Sequence, residues 1–272
     1  MNGTQDQRSI GVFDSGLGGL TAVRELVRAL PDESVVYFGD TARVPYGGKS
    51  AETVTRYALQ DARFLLREGA RLIVVACNTA SAVALDALRE QLEVPVIGVI
   101  EPAVRAAVKA SVSGRIGVIG TRGTVASGIY ERMVTAMRTD AMVVAEPAPL
   151  LVHLVEEGWL DQPETPSITR SYLAPLLERR VDTIILACTH YPILRDMIAR
   201  LVGEAVTLID PAQETAAEVK SLIAADQALR QSLQRSSDHI FYVSDLTPHF
   251  AEVSARFLGC SITGHLRKID LA

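Results

Sequence analysis

The stretch "RLIVVACNTASAVALDALREQLEVPVIGVIEPA" (residues 71–103) is a complete structural unit, and the chain carries it twice. It opens on a β-branched apolar run ending at Ala-Cys, passes through a helical pattern, and closes on a second apolar run followed by acid-Pro-Ala. The stretch "DTIILACTHYPILRDMIARLVGEAVTLIDPA" (182–212) keeps the same order. Apolar runs this continuous suit strands buried on both faces, and strands separated by helices suit a parallel sheet with covering helices. Upstream, "IGVFDSGLGGLTAV" (10–23) pairs more loosely with "IGVIGTRGTVAS" (116–127), setting Ser15 opposite Thr121. The reading is an α/β protein of two similar lobes with mainly parallel sheets.

Further strands are predicted at "SVVYF", "RIGVIG", "AMVVAE" and "HIFYV". Leu20, Val23, Val27 and Leu30 recur at helical spacing before Pro31 closes the pattern. Both repeats finish on a strand followed by acid-Pro, a natural place for the chain to cross between lobes. The expected division is a first lobe of 1–99 completed by 209–272, carrying Asp14 and Cys77, and a second lobe of 100–208 carrying Cys188.

With 272 residues, 48% of them hydrophobic, the chain can bury one large core or two smaller ones. A net charge of -5 gives no global attraction to nucleic acid or anionic membrane, which favours small-molecule work. No apolar run approaches the ~18 residues of a membrane span, and "MNGTQDQRS" lacks the apolar centre of a signal peptide. A cytoplasmic protein with a frayed N-terminus is expected.

Cysteine is sparse, at 77, 188 and 260, and a free cysteine is ordinarily a small buried hydrophobe. Cys260, in "FLGCSI", keeps that reading. Cys77 and Cys188 differ because both end a repeated strand just before a helix, at the sheet edge where α/β proteins bind ligands. A helix N-terminus would lower the thiol pKa and make thiolate accessible. If the lobes face each other, one cleft sees a sulfur from each side. That suits removal of a proton from one face of a carbon acid and delivery to the other, since a thiol/thiolate pair can exchange roles.

At this point "GVFDSGLGGL", "DTARVPYGGKS", "VACNTASA" and "LACTHYP" together resemble the glutamate racemases, of the cofactor-independent aspartate/glutamate racemase family. The motifs occur in the family order, and the likeness spans about 10–212 with a weaker tail. The resemblance implies two lobes related by a pseudo-twofold axis, a site in the interlobe cleft, D-glutamate supply for peptidoglycan, and a homodimer. Metal and cofactor are not required. It implies that Cys77 takes the α-proton of D-glutamate with help from Asp14. Cys188 would take that of L-glutamate with help from His190 and the glutamate of "HLVEEG", Glu156 rather than its neighbour Glu157. Asp14, Ser15, Tyr46, Gly47, Asn78, Thr79, Thr121, Thr189 and His190 would contact substrate. Some family members are associated with DNA gyrase inhibition, which makes gyrase a candidate partner by resemblance alone.

The glycine loop itself fits neither nucleotide motif. From Gly16 the sixth position is Thr21 rather than Gly, and Leu17 stands where a phosphate loop needs Lys. Asp14 would repel a phosphate but can meet an α-ammonium or orient a thiol. Three alternatives stay open: an aspartate or hydantoin racemase, a non-catalytic amino-acid binding module, and a pyridoxal-phosphate enzyme. The last is disfavoured because none of the lysines at 49, 109, 220 and 268 sits in a cofactor motif.

Overall fold

The computed structural model describes residues 8–246, 250–262 and 265–270. The expected frayed opening falls on residues 1–7 and so lies outside the described residues. Among the described residues, ten strands form two sheets: β1 (Ser9–Asp14), β2 (Val35–Gly39), β3 (Ala70–Val75), β4 (Val96–Gly98), β9 (His239–Val243) and β10 (Leu266–Lys268) in one, and β5 (Arg115–Gly120), β6 (Met142–Pro147), β7 (Thr183–Ala187) and β8 (Thr207–Ile209) in the other. Every strand pairing is parallel.

The duplication is visible in the topology. The orders are β10-β9-β2-β1-β3-β4 and β6-β5-β7-β8, so β2-β1-β3-β4 of the larger sheet repeats as β6-β5-β7-β8 in the smaller. β9 and β10 lengthen the first sheet and have no counterpart in the second. β10 escaped the sequence reading because three residues, Leu-Arg-Lys, carry no apolar run.

Central strands are buried throughout, as β1, β2 and β7 are at every residue, because helices cover both sheet faces. β6 departs from that expectation: it is only partly buried, being the free edge of its sheet. The helix Leu20–Ala29 packs on Pro211–Ala225, which also packs on Ile100–Ala110, so the two halves are joined by helix contacts as well as by the chain crossings. One continuous apolar cluster runs from Ile10, Val12 and Val74 to Ile119, Ile184 and Leu186, strands of both sheets. Each such side chain contributes ~1.5–3 kcal/mol when fully buried. None of the described helices is long and apolar enough to cross a membrane.

Candidate active site

Cys77 follows β3 and N-caps the helix Asn78–Gln91, its Sγ accepting the Ala80 N–H at 3.4 Å. It lies 3.7 Å from Ser15 Oγ, in the loop after β1, and is 5% exposed. The expected lowering of its pKa is reversed. Burial, then the Asp14 carboxylate, push the thiol up to about 12, and the N–H of Ala80 and the Ser15 contact only soften this. A helix terminus is worth less here than the loss of water around a thiolate.

Asp14 ends β1, is buried, and accepts the Gly16 N–H through Oδ2 at 3.0 Å. Its other oxygen, Oδ1, is buried with no hydrogen-bond partner. Burial raises the Asp14 pKa, with His190 and the backbone N–H groups of Gly16, Gly19 and Ser15 opposing. The loop therefore holds a carboxyl group receptive to a proton and short of a donor.

Cys188 follows β7, the strand equivalent to β3, but does not cap an α-helix. A 3-10 turn, Tyr191–Leu194, intervenes before Arg195–Val202 because Pro192 has no N–H to give. Its Sγ is 3.8 Å from His190 Nδ1, and His190 Nε2 is 3.0 Å from Glu156 Oε1. Burial lowers the His190 pKa, yet its bonds to Cys188 and Glu156 overcome this and push it up to about 10. Glu156 is shifted down: burial opposes ionisation, and the His190 bond and charge outweigh it. Glu157, its neighbour, is exposed and takes no part in this pair.

The seam between the halves gathers most of the remaining candidates. Thr79 Oγ1 lies 3.0 Å from Thr121 Oγ1 and 3.2 Å from Thr124 Oγ1, joining the two halves. Tyr130 donates to Asn78 Oδ1 at 2.6 Å, which leaves the amide nitrogen of Asn78 to donate elsewhere. Thr21 Oγ1 reaches Thr189 O at 3.1 Å, and a Cβ on Gly18 would fall 2.2 Å from Thr189 Oγ1 and 2.7 Å from His190 Cε1. Only glycine allows that approach. Asn78, Cys188 and Thr189 line one small cavity together with Asp210, on the same seam.

Tyr46 and Cys260 depart from expectation. Tyr46 Oη is buried away from the seam, 2.5 Å from Asp40 Oδ2 and 2.9 Å from Asp61 Oδ2, so its ring is a core anchor and only its backbone remains free for a ligand. What it anchors is Gly47, whose added Cβ would sit 3.0 Å from Thr121 Cβ. Cys260 is exposed rather than packed, because it follows the last turn of Phe250–Leu258.

Sequence reasoning missed Tyr130, Thr124 and the Asp40–Tyr46–Asp61 group. Asp61 left a signal: it stands at helical spacing with Val54, Ala58 and Leu65 on a buried face, where a carboxylate has no business without a partner. Tyr130 left none, because its partner is 52 residues away.

Two buried thiols at equivalent strand ends, one beside a carboxyl group and the other beside an imidazole–carboxylate pair, form the arrangement expected of a cofactor-independent racemase. The Asp/Glu/Hydantoin racemase family profile matches residues 10–219. A glutamate racemase of Geobacter metallireducens is 49% identical over 252 residues, covering 93% of each chain. The crystal structure of a glutamate racemase isoform of Bacillus anthracis superimposes with a TM-score of 0.91 at 39% identity, covering 98% of this chain and 99% of that one. That of the Francisella tularensis enzyme, solved in complex with D-glutamate, gives a TM-score of 0.89 at 36% identity, covering 98% and 99%. The chain belongs to the Asp/Glu/hydantoin racemase family.

Proposed function

We propose that this chain interconverts L- and D-glutamate by a two-thiol mechanism, supplying cytoplasmic D-glutamate for peptidoglycan. The observation that carries the reading is the duplication itself, which gives each thiol the same strand-end station and its own proton-handling partner. The glutamate racemases among its relatives, at 43–49% identity over most of their length, support glutamate as substrate. A homodimer is the expected working form.

In this reading the substrate ammonium or the Cys77 proton satisfies Asp14 Oδ1, the buried acceptor that lacks a donor. Cys77 rests as a thiol, so its proton must leave before it can act as base; Asp14, itself raised by burial, is placed to take it. The resulting thiolate removes the α-hydrogen of D-glutamate, and the Cys188 thiol protonates the opposite face. From L-glutamate the roles reverse, with imidazolium His190 supplying a donor and positive charge beside the Cys188 sulfur. Asn78, Thr79, Thr121 and Thr189 offer donors to the two carboxylates.

The test is purified protein with L-glutamate in heavy water, without added cofactor, followed by chiral analysis. D-Glutamate should appear until the enantiomers are equal, and early product should carry solvent deuterium while remaining substrate stays unlabelled. Serine at Cys77 or Cys188 should reduce turnover by at least about 10³-fold, since the higher hydroxyl pKa removes a competent base. Turnover of aspartate in preference to glutamate would replace this reading, and unchanged ligand handedness would leave only a binding module.

A further inference from the structure

The helix Phe250–Leu258 lies beyond the matched family region, which ends at residue 219, yet it touches both members of the His190–Glu156 pair. Glu156 is the last residue of a seven-residue helix, Leu150–Glu156, too short to hold its own end firmly. That end is closed by Trp159 N–H donating to Leu154 O at 2.8 Å and Gly158 N–H donating to Val155 O at 3.2 Å, with Gly158 at φ 72°. Arg256 completes it. Its Nη1 donates to Val155 O at 2.7 Å and to Glu156 O at 3.0 Å, placing a cation where the helix terminus is negative. A Cβ at Gly158 would lie 2.5 Å from Arg256 Nη2, so a side chain there would displace the guanidinium. The adjacent Phe257 is fully buried and meets the His190 ring edge-on, centroids 5.0 Å apart. Arg24 Nη1 donates to Phe257 O at 3.3 Å, tying this helix back to the one that follows the Asp14 loop.

We propose that Arg256 and Phe257 are positioning residues: the C-terminal helix straps Glu156 and His190 in place beside Cys188, and so governs the proton transfers on that face alone. Neither residue has to touch substrate. The inference rests on the proposed racemase reaction for its kinetic consequence, while its structural consequence can be read without any turnover.

The structural test is the His190 titration followed by NMR in the full chain. His190 is held near 10 by Cys188 and Glu156, with Asp14 also within electrostatic reach and His153 acting on Glu156. Arg256→Met should free the end of the short helix, weaken the Glu156 bond and move the His190 midpoint down toward the ordinary histidine range. Arg256→Lys, which keeps one donor, should restore part of the shift. An unmoved midpoint in Arg256→Met overturns the strap whatever the enzyme does.

The kinetic test uses α-deuterated L- and D-glutamate. The equilibrium constant of one forces kcat/KM to fall equally in both directions, by about tenfold in Arg256→Met. The isotope effects need not follow. Slower Cys188 steps should raise the effect with deuterated L-glutamate, whose hydrogen Cys188 removes. They should lower it with deuterated D-glutamate, whose removal by Cys77 no longer limits the rate. Phe257→Leu, which keeps an apolar filling against His190, should give the same asymmetry if Arg256→Met does not fold. A fall in rate with both isotope effects unchanged would mean general destabilisation and would overturn the proposal. A wild-type protein that does not racemise glutamate would sink the reaction, and the NMR result would still judge the strap.

Discussion

His190 and Asp61 are both buried and both raised in pKa, one as a cation held charged and the other as an acid held neutral, so each loses stabilising effect as pH rises, over different ranges. The His190 pKa is raised to about 10, so its contribution to stability is fully present below the ordinary histidine value of ~6.5 and is lost as pH rises through about 10. His190→Gln should therefore cost most stability in the acidic to neutral range, with the gap from wild type narrowing as pH rises through about 10; thermal melts across that range check it. A gap independent of pH would remove the ionic role. The Tyr46 hydroxyl has one proton to share between the carboxyls of Asp40 and Asp61. Asp40 already accepts from Ser244 Oγ and pairs with Arg43 Nε, so it takes the Tyr46 hydroxyl proton. The second contact to Tyr46 Oη must then come from an un-ionised Asp61, whose pKa burial and Asp40 hold well above the usual value. A raised carboxyl pKa gives stability below ~3.9 that is lost as pH rises toward the folded value. Asp61→Asn imitates the neutral acid: its NH₂ can donate to Tyr46 and its oxygen can accept from Arg43 Nη2. It should be no less stable than wild type at neutral pH and should gain on it as pH rises. A Tm that drops at neutral pH would show that Asp61 is ionised.

The element that sets the site is the turn after β1. Asp14 leaves the strand, and four residues later Gly18 passes under Thr189 and His190 of the other half. The glycines of this loop serve close approach rather than phosphate binding, and that function was invisible until the opposite loop was seen. Gly18→Ala must push either loop aside by more than an ångström at the Thr189 hydroxyl. A displacement of that size at reacting groups costs on the order of 10²-fold in kcat/KM. Steady-state kinetics in both directions check it, and an alanine variant within twofold of wild type would show that the approach is incidental.

At the scale of the whole molecule the site is deeply set. Asp14, Cys77, Asn78, Thr79, Cys188 and His190 are each no more than 7% exposed, while Ser15, Gly47, Thr121 and Thr189 are only partly buried, so a ligand reaching the thiols is expected to move the halves relative to one another. Around the thiols the polar contacts across the seam are neutral hydrogen bonds, the Thr79 hydroxyl pairs, Tyr130 to Asn78 and Thr21 to Thr189 O, each of which can part and reform at modest cost. Trp159, the single tryptophan, is 47% exposed and sits at the helix end held by Arg256. Glutamate added to the Cys188→Ser variant, where turnover is stopped, should give a saturable change in tryptophan emission. Invariant emission together with an invariant scattering radius would show that ligand enters without relative motion.

The sequence by itself determined the fold class, the duplication and the station of both thiols. Strands buried on both faces must be written as continuous apolar runs, and a repeated unit must place its Ala-Cys at the same strand end. It also carried the family's motifs. Tertiary structure decided what surrounds those groups. Whether Cys77 is an easy or a reluctant acid depends on burial and on Asp14, 63 residues earlier in a neighbouring strand. Whether Tyr46 faces substrate or core depends on Asp61 in the next helix, and whether Cys260 is packed depends on where the C-terminal helix stops. Glu156 rather than Glu157 meets His190 because a two-turn helix presents one of two adjacent carboxylates inward, and an arginine 100 residues later holds that helix end. Periodicity reports which face of an element is apolar. The electrostatics of a site arise from which faces meet, and no local pattern encodes that.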